Sequence, residues 1–88
     1  MADHDIPEEL VALKAALWAA EARCAALAEQ LLAADPQGRQ RLEAELFMAR
    51  ASRSTSLADL YAHPWWATQT NRRQADQAVN NAAKALTE

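Results

Sequence analysis

From Leu10 onward, leucines and small apolar residues recur at alternating steps of three and four: Leu10, Leu13, Leu17, Ala20, Cys24, Leu27, Leu31 and Ala34. This is a heptad seam sustained over more than three repeats, and it predicts one long amphipathic helix. A second stripe runs beside it at Val11, Ala15, Trp18, Ala22, Ala25 and Leu32. Two neighbouring stripes make an apolar surface broader than a two-stranded zipper uses, so more than one element is needed to cover it. Pro7 stands where an N-terminal proline is favoured, and Glu8 and Glu9 bring negative charge to the positive end of the helix dipole. A helix of about 27 residues is near 40 Å long.

Asp35-Pro36-Gln37-Gly38 interrupts the pattern. Proline disfavours helical geometry at the residue before it, and Asp35 is placed to cap a second helix with Pro36 at its first position, so the chain is expected to reverse here. That helix is predicted over Pro36 to Ala51, with Leu42, Leu46 and Ala49 on one face and Phe47 and Met48 beside them. The polar run Ser52-Arg53-Ser54-Thr55-Ser56 reads as a linker. Ser56 followed by Asp59 resembles a capping box and predicts a short helix through Leu57, Leu60 and Tyr61. His63-Pro64 ends it and opens a last helix over Trp65 to Leu86, with Trp65, Ala75, Val79, Ala82 and Leu86 along its apolar side. The expected architecture is all-α: an antiparallel bundle of three long helices and one short one, completed by dimerisation. Residues 1–7 are expected to be a flexible tail ahead of a single helical domain over 8–86.

Composition sharpens this picture. Of the 45 residues counted as hydrophobic, 23 are alanine, which leaves 22 large apolar side chains among 88 residues. That is a thin core for an isolated subunit, and it favours association. A single glycine, one isoleucine and two valines leave little material for strands. A lone cysteine, Cys24, cannot make a disulfide framework and suits a reducing compartment. Residues 1–5 lack the basic opening and apolar run of a secretory signal, no stretch approaches the length of a membrane helix, and a cytoplasmic location is expected.

Side chains that could carry a function are few. Leu10, Leu13, Leu17, Leu27 and Leu31 form the seam, with Trp18, Trp65 and Trp66 as candidate interface anchors. Trp65 and Trp66 diverge by about 100° on a helix, so they either plug one end of the bundle with Tyr61 and Phe47 or send one ring to a partner. Charge is uneven: residues 1–35 hold seven acids against Lys14 and Arg23, and residues 36–88 hold seven bases against five acids. Arg39, Arg41, Arg50, Arg53, Arg72 and Arg73 are the candidate phosphate-binding residues of an alternative reading, a nucleic-acid-associated regulator. The net charge of −3 and a pI near 5.3 argue against it.

Ala2-Asp3-His4 is a three-residue pattern able to hold copper(II) or nickel(II) once Met1 is removed, but such coincidences are frequent and no metal or cofactor is expected. His63 is expected to cap the helix that follows it. One glycine cannot build a phosphate loop, and Cys24 on the seam is expected to be a packing residue and not a nucleophile. The expectation is therefore a non-catalytic, self-associating helical interaction module: a small adaptor or regulatory subunit.

Overall fold

The computed structural model describes residues 5–88. It contains α1 (Glu8–Ala33), α2 (Pro36–Ala62), a 3-10 helix (Pro64–Thr68) and α3 (Arg72–Thr87), with no strand among the described residues. The all-α expectation holds. The reversal between α1 and α2 forms as the sequence indicates: Asp35 is extended, and its Oδ1 accepts a 2.7 Å hydrogen bond from the Gly38 N–H. Pro36 takes the first helical position, where its missing N–H leaves nothing unsatisfied.

Two expected boundaries are corrected. Ser52–Ser56 is not a linker; α2 runs unbroken for 27 residues, so the separate short helix through Leu57 and Tyr61 is the end of α2. Serine and threonine cost only a fraction of a kcal/mol each in a helix interior, and the segment contains neither glycine nor proline to break it. The contacts beyond it are tertiary: Leu60 is fully buried in a cluster with Leu10 and Leu17 of α1. Continuity also makes α2 the equal of the 26-residue α1, each close to 40 Å long.

The last helix likewise starts at Arg72 and not at Trp65. Residues Pro64–Thr68 wind as 3-10 because their groups are satisfied locally. His63 Nδ1 accepts from the Trp65 N–H at 3.1 Å, and the Thr68 hydroxyl donates to the Trp65 carbonyl at 2.6 Å. Asn71 then caps α3 by accepting from the Gln74 N–H at 3.1 Å. Among the described residues there are therefore two long helices, a 16-residue third helix and one short 3-10 turn, in place of three long helices and a short one.

The core is divided. One cluster gathers Leu10, Leu17, Leu60, Trp65, Trp66, Ala75 and Val79, with Ile6 and Leu13 packed against it. The other holds Cys24, Leu27, Leu46 and Ala49, with Leu31 and Leu42 at its edge. On α2 the line facing α1 reads Leu42, Leu46, Ala49, Arg53, Ser56, Leu60, so a charged and a polar residue fall between the clusters. α3 packs on the N-terminal half of α1 and touches α2 only slightly. The far half of the hairpin is two helices thick. The molecule measures 55 × 25 × 19 Å with a radius of gyration of 16.2 Å, against about 12 Å for a compact chain of this length.

Asp5 and Ile6 make contacts with the helices. The Asp5 carbonyl accepts from Trp65 Nε1 at 3.1 Å, and Ile6 packs on the first cluster. Residues 1–4, including the Ala2-Asp3-His4 pattern, lie outside the described residues.

Truncating Leu60 to alanine is expected to lower the unfolding free energy by about 3 kcal/mol, because a fully buried side chain leaves a cavity. Asp35→Ala is expected to cost about 1 kcal/mol through the lost cap. Urea titration followed by circular dichroism measures both, and a Leu60→Ala change no larger than the cap mutant would contradict the packing assigned to it.

Candidate interaction surface

Most of the predicted anchors are occupied within a single subunit. Leu10, Leu17 and Leu27 are buried, and Leu13 and Leu31 are half-buried against the two clusters. Trp65 and Trp66 are both buried, meeting edge to face with centroids 5.1 Å apart. Trp65 Nε1 donates to the Asp5 carbonyl and Trp66 Nε1 to the Leu60 carbonyl, so each indole has its polar atom satisfied. Tyr61 joins this plug, 5.1 Å from Trp66. Phe47 does not: it is 72 % exposed on the two-helix half of α2. Trp18 is half-buried, with the Lys14 ammonium 5.8 Å from its ring centroid.

Polar contacts around the plug tie three elements together. The Arg72 guanidinium lies 5.0 Å from the Tyr61 ring and 4.8 Å from the Trp66 ring, a cation–π arrangement. The Tyr61 hydroxyl donates to Asp76 Oδ1 at 3.3 Å, and Arg72 also reaches Asp76 at 3.8 Å. Burial, then the neighbouring Asp76 carboxylate, raises the Tyr61 pKa above its ordinary 10.0, with Arg72 opposing. His63, as expected, caps the turn that follows. Its Nδ1 accepts from Trp65, which puts the proton of the neutral ring on Nε2, 3.0 Å from Glu9 Oε1 on α1.

The arginines are dispersed. Arg39, Arg41, Arg50 and Arg53 are exposed along α2, spread over about 21 Å of helix. Arg72 and Arg73 stand at the start of α3, and Arg72 is engaged by the aromatic rings. Arg41 and Arg23 both contact Glu45, at 3.5 and 3.4 Å. Cys24 is buried in the second cluster. Among the described residues no group of three or more His, Cys, Asp or Glu side chains could hold a metal ion, and no helix is long and apolar enough to cross a membrane.

What remains open to a partner is apolar helix surface. On α1 the second stripe is half-buried at Val11, Ala15 and Trp18, where α3 packs, and exposed beyond it at Ala22, Ala25 and Leu32, with Leu32 86 % exposed. On α2 the face turned away from α1 carries Ala44, Phe47, Met48 and Ala51 at i, i+3, i+4 and i+7, all exposed. Thr55, Ala58 and Ala62 extend the same line at steps of four, three and four, and they are exposed as well. None of these residues is charged. At about 100° per residue, every charged side chain of α2 (Arg39, Arg41, Glu43, Glu45, Arg50, Arg53 and Asp59) falls on the flanks or on the line facing α1. Reading Ser52–Ser56 as a linker hides this face, because the two halves of the stripe share a phase only on a continuous helix.

The raised Tyr61 pKa fixes a sign for alkaline stability. The folded chain holds the phenol proton more tightly than the unfolded chain, so this contribution is complete below pH 10 and is lost as pH rises through the folded value. Thermal melts between pH 8 and 11 should therefore fall more steeply above pH 10 for the wild type than for Tyr61→Phe; parallel curves would show that the hydroxyl has no such coupling. Comparison of the chain with protein-family models, with curated proteins and with solved structures finds no match in any of the three.

Proposed function

We propose that this chain is a non-catalytic helical interaction module, a small adaptor or regulatory subunit, that works by self-association. The observation that carries this reading is the inverted polarity of α2. Its most solvent-facing line holds Phe47 and Met48, 72 % and 67 % exposed, among alanines, while its charges sit on the sides. A helix that faces only water places its charged residues outward, and a contiguous apolar patch on a small protein marks an interaction site. The thickness of the fold supports the same conclusion: beyond the reach of α3, two helices present their outer faces without a third layer. The free thiol of Cys24 suits a reducing compartment, and the cytoplasm is the location we propose.

Size-exclusion chromatography with light scattering at micromolar concentration tests the proposal. The expected wild-type mass is twice 9.7 kDa. The double substitution Phe47→Glu, Met48→Glu is expected to give single copies with an unchanged far-UV dichroism spectrum, since neither side chain supports the subunit core. A wild type that stays at 9.7 kDa overturns self-association.

A further inference from the structure

Resting on that reading, we infer that the occupant of the α2 face is the α2 of a second copy, laid antiparallel across a two-fold axis close to residues 49 and 50. The size pattern along the face is the first reason. Phe47 and Met48 are the large residues, and the rest of the line is alanine and Thr55, with Ser54 beside it. Antiparallel pairing about that axis sets Met48 opposite the partner's Ala51 and Ala44 opposite the partner's Thr55, large against small, as interdigitating layers require. A parallel pairing stacks Phe47 on its own copy and leaves gaps along Ala51, Ala58 and Ala62.

Charge is the second reason. Arg41 and Asp59 are 18 residues apart, which is five complete helical turns, so they share one flank of the face. The same axis brings Arg41 to the partner's Asp59, and Asp59 to the partner's Arg41, one pair at each end. Asp59 makes no ion pair with any described residue, and Arg41 makes a 3.5 Å contact to Glu45 four residues away. Arg50 lies on the other flank beside the axis, exposed and free to turn toward solvent.

The exposed stripe on α1 lacks this self-complementarity. Glu29 falls in line between Ala25 and Leu32, with Glu21 beside Ala22, so copies meeting there bring like charges together.

Area and access agree. α2 is about 40 Å long, and a strip about 15 Å wide along it is about 600 Å² per copy, or about 1,200 Å² in total. That is the lower edge of specific interfaces. Because α3 packs on α1, the outer side of α2 stays clear along Ala44 to Ala62.

Sedimentation equilibrium at low ionic strength on the wild type, Arg41→Glu, Asp59→Arg and the double variant tests the arrangement. Each single reversal puts two like-charged pairs across the axis and is expected to weaken the dimer about tenfold. The double variant exchanges the partners and is expected to return to within about twofold of the wild type. A restored dimer in the double variant also shows that neither substitution damages the fold. A wild-type dimer that ignores the single reversals, or a double variant weaker than either single, overturns the antiparallel α2 contact and leaves self-association standing. A wild type that remains a single copy removes both.

Discussion

The rest of the fold depends on the seam along which α1 lies against α2. It runs from the cluster around Leu10, Leu17 and Leu60 to the one around Cys24, Leu27, Leu46 and Ala49, and both helices need nearly their whole length to make it. Holding two rods of close to 40 Å side by side uses 53 of the 88 residues. What is left after the turn and the 3-10 segment is a 16-residue α3 of about 24 Å, too short to follow α1 from end to end. The division into a three-layered half and a two-layered half follows from that arithmetic and not from any special feature of the exposed residues.

The interruption of the seam matters as much as its length. Arg53 and Ser56 stand on the α1-facing line of α2 at the place where a continuous core would carry apolar residues. A guanidinium cannot be buried there without a partner, and Arg53 is exposed. The two clusters are thereby separate packing units. The one nearer the chain ends is reinforced by the tryptophan plug, whose indole N–H groups are both bonded to carbonyls, and by Arg72 lying against the Tyr61 and Trp66 rings. The other rests on one cysteine, one alanine and two leucines, with Leu31 and Leu42 at its margin.

How much of this is legible in the sequence depends on whether a feature is local. The steps of three and four from Leu10 to Leu31 mark α1 and its buried line, because helical phase alone decides which residues share a side. Asp35 and Pro36 mark the reversal through cap chemistry, and His63 marks the turn before Trp65 in the same way. The breaks placed at Ser52 and Trp65 fail for different reasons. A polar pentapeptide looks like a linker when each residue is weighed by its solvent preference, but helix continuity here is decided by the docking of Leu60, twenty-five residues beyond the Asp35 cap, a tertiary effect. At Trp65 the opposite holds. Asn71 followed by Gln74 is a cap-and-box pattern that places the start of α3, yet two aromatic residues after a proline draw the boundary forward. The exposed face of α2 is the feature least accessible to sequence reading, since it exists only if residues 44 and 62 belong to one helix.

That dependence links the shape of the subunit to its proposed partner. Running straight for 27 residues, α2 aligns Ala44, Met48, Ala51, Thr55, Ala58 and Ala62 in a single phase on the side turned away from α1, while the radius of gyration stays well above that of a compact chain. An extended subunit with little core per residue is stabilised when a second surface removes those side chains from water, because binding to the folded form alone shifts the folding equilibrium by mass action. The same straight helix that leaves the core thin is what builds a surface suited to offset it.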